Sequence, residues 1–164
     1  MRSAWIVAGL VVAIAGGATA AARRPAVRQP IAFNHAKHIA AGADCSGCHG
    51  TVEEQAFASL PTLDTCMQCH DTPMSKSPEE KTLQAFAARS VEPPWQRVYR
   101  MPAHVYFSHR RHVVVGKVAC ATCHGDIAQA TEPPARPAVD QKMAWCLECH
   151  EKRHASTDCI ACHK

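Results

Sequence analysis

Ten cysteines and five of the histidines in this chain fall into one repeated pentapeptide, Cys-x-x-Cys-His. The copies are Cys45-Ser46-Gly47-Cys48-His49, Cys66-Met67-Gln68-Cys69-His70, Cys120-Ala121-Thr122-Cys123-His124, Cys146-Leu147-Glu148-Cys149-His150 and Cys159-Ile160-Ala161-Cys162-His163, and no cysteine is left over. Two thiols three residues apart share one side of a helical turn, where both can add to the two vinyl groups of one porphyrin. The histidine that follows presents its imidazole to the iron, so the pattern reads as c-type haem attachment. Zinc ribbons also pair cysteines this way, but they require no histidine after each pair, and five pairs would leave one unmatched. A disulfide scaffold suits an exported chain yet gives no reason for the histidines. The implication is five covalently bound haems, with His49, His70, His124, His150 and His163 as proximal ligands.

What fills the sixth position on each iron separates electron transfer from catalysis. Eleven histidines minus five proximal ones leave His35, His38, His104, His109, His112 and His154. Five irons need five more ligands, so two histidines per iron and no open site is the expectation. His35, His38, His109 and His112 stand in two His-x-x-His pairs ahead of the first and third motifs, a spacing chance explains poorly. For the fifth ligand, His154 lies four residues past His150 and close to the fifth motif. His104 precedes His109 by five residues, and in an extended run that separation changes side. His154 is therefore the expected ligand and His104 a propionate or partner contact. Met67, Met74, Met101 and Met143 are conceivable ligands that would raise the potential, though packing roles suit them better.

The elements that must position these groups are sparse. Phe33-Asn34-His35-Ala36-Lys37-His38 leads through Gly42 to Cys45, and Phe107-Ser108-His109-Arg110-Arg111-His112 leads through Gly116 to Cys120, with one residue inserted. This is an internal duplication. Ser77 as cap, Pro78 at the first helical position and Glu79-Glu80 open a helix of about 14 residues that Pro93-Pro94 stops. Only Val113-Val114-Val115 reads as a strand. Eight aromatic residues follow residue 22, too few for a self-sufficient core in a chain of this length. The expected fold is mainly irregular with small α elements: short helices, long loops and the haems as the core. The expected layout is a linker at 23–32, a dihaem module at 33–76, a connecting helix and loop at 77–100, and a trihaem module at 101–164.

Residues 1–22 have a basic start, an apolar run from Trp5 to Ala15 and a small-residue stretch to Ala22, the layout of an export signal. Residues 5–22 are also near the lower length limit for a membrane span, so an uncleaved anchor to the inner membrane stays open. Either way the remainder is expected in the periplasm. Eighteen basic residues against 14 acidic ones give a net charge of +4, spread along the chain without a basic tract, which excludes nucleic-acid binding as a working hypothesis.

The unit Phe-Asn/Ser-His-x-x-His followed by Cys-x-x-Cys-His resembles the class III multihaem cytochromes c, including their small trihaem relatives. That resemblance implies that His35 ligates the haem at Cys45/Cys48 and His109 the haem at Cys120/Cys123. It further implies that His38 and His112 serve the haems at Cys66/Cys69 and Cys146/Cys149. The stretch Pro94-Trp95-Gln96-Arg97-Val98-Tyr99, with Pro102-Ala103-His104-Val105-Tyr106-Phe107-Ser108-His109, looks like the pentahaem subunit of alternative complex III and related menaquinol oxidoreductase complexes. The function this implies is a periplasmic relay of single electrons from a membrane quinol oxidoreductase to a soluble acceptor or terminal enzyme. A freely diffusing carrier is the second reading, and a multihaem reductase the third. The third would need an open haem, for which no motif departs from Cys-x-x-Cys-His. Arg97, Arg100, Arg110 and Arg111 could pair with propionates or form a solvated basic face.

Overall fold

The computed structural model describes residues 25–164. Its elements are short helices: α1 (His35–Ala40), α2 (Cys45–Cys48), α3 (Leu63–His70), α4 (Pro78–Ala87), α5 (Ala121–His124), α6 (Met143–Lys152) and α7 (Cys159–Cys162). A π turn (Arg111–Val115) and a 3-10 turn (Ile127–Gln129) complete them. Side-chain caps start several of these at the places chemistry needs. Asn34 accepts from the Lys37 N–H, Asp44 from Gly47, Thr62 from Thr65 and Ser77 from Glu80, each satisfying an otherwise orphaned donor. The Asp44 cap starts α2 at Cys45, which sets both thiols of the first motif on one helical turn.

Side chains build only a small apolar cluster. Ile31, Leu63 and Leu83 are buried, with Met67, Phe86 and Trp95 packed against them. Trp95 Nε1 donates to the Pro61 carbonyl at 3.0 Å, and the Leu63 N–H donates to the Glu92 carboxylate at 2.7 Å. Among the described residues no large side chain is fully buried. With so little redundancy each cluster member matters. Leu83→Ala is expected to cost about 2–4 kcal/mol, read as a lower unfolding midpoint with unchanged visible spectra.

The two repeats interlock. The Ala36 N–H donates to Ala130 O, and the Val27 N–H to Ala135 O. Carbonyls of Gln55 and Ala56 accept from Arg110 and His109, so the loop after the first motif caps the turn that opens the second repeat. The chain end folds back as well. Tyr106 N–H donates to Cys162 O at 2.8 Å and Lys164 N–H to His104 O at 3.1 Å, around a single antiparallel bridge between Val105 and His163.

Three local expectations are corrected. The helix after Ser77 ends at Ala87 rather than continuing to Val91, because residues 88–90 tighten into a turn with Ser90 at φ 50°, a left-handed stop. Val113-Val114-Val115 forms no strand and lies in the π turn, where Gly116 N–H reaches back to Arg111 O at 2.8 Å. Gly116 is also not the counterpart of Gly42. Gly42 has φ 94° and the matching positive angle falls on Lys117, at 51°, while Gly116 sits at −79°. From Gly42 to Cys45 and from Lys117 to Cys120 the spacing is then the same. The extra residue of the second repeat is taken up inside the helical turn, which widens from α to π to hold it.

Candidate haem-binding site

All five motifs lie on helical turns: the first, second, fourth and fifth in α2, α3, α6 and α7, and the third across the start of α5. None of the ten cysteines is in a disulfide. Partial burial, with neighbouring thiols and for Cys45 and Cys48 the Asp44 carboxylate, pushes the thiols of Cys45, Cys48, Cys66, Cys123 and Cys146 above their ordinary pKa.

The proximal and spare histidines meet in pairs. The His38 and His70 ring centroids are 6.2 Å apart, His109 and His124 6.4 Å, His112 and His150 6.1 Å, and His104 and His163 5.6 Å. His49 lies close enough to His35 to help lower the His35 pKa. Metal–imidazole bonds of about 2 Å, plus the ring radii, separate two imidazoles on opposite sides of one metal by roughly 6 Å between centres. The observed spacings fit that requirement.

The second nitrogen of these rings is held in a consistent way. Nδ1 donates to a backbone carbonyl in His38 (Asn34, 2.8 Å), His49 (Ser59, 2.7 Å), His109 (Ala56, 3.0 Å), His112 (Ser108, 2.8 Å) and His150 (Ser156, 2.6 Å). In His70 it meets the Glu80 carboxylate instead, at 3.0 Å. A proton fixed on Nδ1 leaves the Nε2 lone pair for a metal, the usual arrangement of a ligating histidine. The buried Nδ1 of His35 has no hydrogen-bond partner. Burial holds His35, His109 and His124 below the ordinary histidine pKa, so they are neutral and able to ligate. Phe33 stacks on His38 at 4.2 Å and Phe107 on His112 at 4.6 Å, which gives the leading aromatic of each repeat its purpose: it fixes the ring plane of the second histidine.

A cavity of about 560 Å³ joins the repeats, lined by Phe33, His35, Cys45, Cys48 and His49 from the first and by Phe107, His109, Cys120, Cys123 and His124 from the second. Arg97, Arg100 and Met101 also line it; Arg110 and Arg111 do not, and all four arginines are exposed. Met67 packs in the apolar cluster, and Met74 and Met143 are exposed. The donor set, the paired rings and the apolar walls fit covalently held haem.

One placement differs from the sequence expectation. His154 is exposed, and the ring beside His163 is that of His104. The backbone explains both. Residue 154 follows the end of α6 at φ 51°, and the bridge to the chain terminus carries His104 to the fifth motif. Alternation along 104–109 does part His104 from His109, but the far side is where the fifth motif lies. Glu80 and the carbonyl partners were also invisible beforehand. The only sequence signal for Glu80 was its place in the first turn after Ser77, where it reads as a helix-end charge.

The sulfurs give the order in space. Cys48 lies near Cys66 and Cys69, Cys45 contacts Cys120, Cys123 lies near Cys146 and Cys149, and Cys146 near Cys162. His49 lies near both His109 and His124. The second motif thus neighbours the first, the first the third, the third the fourth and the fourth the fifth.

No helix among the described residues is long and apolar enough to cross a membrane. The apolar run 5–22 and the first two linker residues, 23 and 24, lie outside the described residues. The multihaem subunit of a menaquinone reductase from Nitratidesulfovibrio vulgaris, described as "Menaquinone reductase, multiheme cytochrome c subunit", is 31% identical over 161 residues, spanning 83% of this chain and 77% of the relative. The class III cytochrome c family matches residues 13–97, and the family described as cytochrome c7 and related cytochrome c matches residues 105–164. The chain belongs to the class III cytochromes c and is a multihaem c-type cytochrome.

Proposed function

We propose that this cytochrome carries five haems and relays single electrons along them between a periplasmic redox partner and a membrane-bound quinone oxidoreductase. The observation that carries the reading is the succession of neighbouring motifs, the second beside the first, the first beside the third, the third beside the fourth and the fourth beside the fifth. Each bound haem supplies one reversible one-electron site. The chain's own part is positional. Pairs of thiols would fix each group to a helical turn, and the pairs His35/His49, His38/His70, His109/His124, His112/His150 and His104/His163 would supply two imidazoles to each iron. Irons held in this way would have no position free for ligand exchange, which suits a relay rather than a catalyst.

The relative's description as a menaquinone reductase subunit supports the association with quinone chemistry. It favours electron flow toward the quinone, the reverse of the direction taken from the sequence. Residues 1–22 serve as export signal or anchor in this reading. The mass of the mature chain distinguishes the two: a start near Ala21 favours a cleaved signal and weakens the case for a membrane-tethered subunit.

Intact mass and a pyridine haemochrome assay on the matured protein are expected to return five haems per chain. Four or fewer would sink the pentahaem reading.

A further inference from the structure

Five of the ring nitrogens described above give their proton to a backbone carbonyl, a neutral acceptor. His70 alone gives it to a carboxylate. Among the described residues Glu80 is one of the few that are buried, 6% exposed, and is the buried charged group. Its other oxygen accepts from the Ser75 hydroxyl at 3.4 Å. Its backbone N–H is held by Ser77 at 3.1 Å, which fixes where α4 starts and so where the carboxylate points. One turn further along α4, Gln84 Nε2 donates to His70 O at 2.7 Å. Positions 80 and 84 share a helix face, so a single face of α4 grips both the ring and the backbone of His70.

We infer that Glu80 lowers the reduction potential of the haem at Cys66 and Cys69 by giving its His70 ligand imidazolate character. A carboxylate draws the Nδ1 proton toward itself and returns electron density through the ring to Nε2. Stronger donation, together with a fixed negative charge on a buried side chain, favours the oxidised over the reduced iron. The weak screening of a buried site makes that charge effective. The inference rests on the haem-relay reading above and sharpens it. The second motif neighbours the first, so an electron delivered there moves spontaneously toward the first. Glu80 is a positioning residue acting through His70.

The test is Glu80→Gln in the full holoprotein, because glutamine keeps the length and the hydrogen-bond acceptor while removing the charge. In a spectroelectrochemical titration one of the five components is expected to move to higher potential while four stay. Electron paramagnetic resonance is expected to show altered g values for one low-spin signal. Gln84→Ala removes the contact to the His70 backbone and a hydrogen bond to the Glu80 carboxylate while keeping the charge, and is expected to move that component less than Glu80→Gln does. Five unmoved components in Glu80→Gln with a full haem count, or an equal shift in Gln84→Ala, would overturn the assignment. A haem count below five in the parent protein would instead overturn the relay reading on which it stands.

Discussion

His104→Ala is expected to convert one haem in five to a high-spin, carbon monoxide-binding form, while His154→Ala leaves all five low-spin. The His104 ring lies 5.6 Å from that of His163 with the planes 15° apart, and backbone hydrogen bonds on both sides of the Val105–His163 bridge hold it there. His154 is exposed beyond the end of α6 with no ring beside it among the described residues. Losing His104 leaves His163 with no imidazole opposite, and water or an added ligand takes the position. The contrast between the variants is the informative quantity, because it is all or none for one iron. A new high-spin signal in His154→Ala, with His104→Ala unchanged, would reverse the assignment.

The second large effect concerns order. Cys45→Ser combined with Cys48→Ser removes the covalent hold at the motif that lies between the second and the third. In such a variant the haem at Cys66/Cys69 is expected to stop equilibrating with the other three on the native time scale after flash reduction. Removing Cys159 and Cys162 instead takes away an end, and the remaining four are expected to equilibrate as before. The two variants lose the same number of haems, so a difference between them reports position alone. If the end deletion disrupted the relay as badly as the internal one, the linear order would be wrong.

How much of this was written plainly in the chain depends on how local each feature is. The attachment motifs are pentapeptides whose chemistry is complete within one helical turn, so the expectation for all ten cysteines and five histidines follows from local pattern alone. The Phe33 and Phe107 repeats are nearly as local, since the aromatic and the ring it orients are five residues apart. The shortage of large apolar side chains forecast the three-residue buried cluster. His104 was misread because its partner is 59 positions away, and nothing near residue 104 signals that the chain terminus returns to it. Val113-Val114-Val115 was misread for a different reason. β-branched residues favour strands, but here the duplication demands a helical turn, and tertiary context outweighs a preference worth about 1 kcal/mol. Gly116 misled in the same way: identity suggested an alignment that the backbone angles shift by one residue.

The hydrogen bonds that steer the imidazoles have a consequence for inheritance. Five of the six observed Nδ1 partners are main-chain oxygens, and every amino acid carries one. Substitution at Asn34, Ala56, Ser59, Ser108 or Ser156 changes a side chain without deleting the acceptor that sets the ring. The orientation of those rings is thereby buffered against drift in the residues around them, provided the path of the chain is kept. Glu80 has no such protection, since a single codon change removes it. Evolution can therefore retune one site of this protein by point mutation, whereas altering the others requires rerouting the backbone.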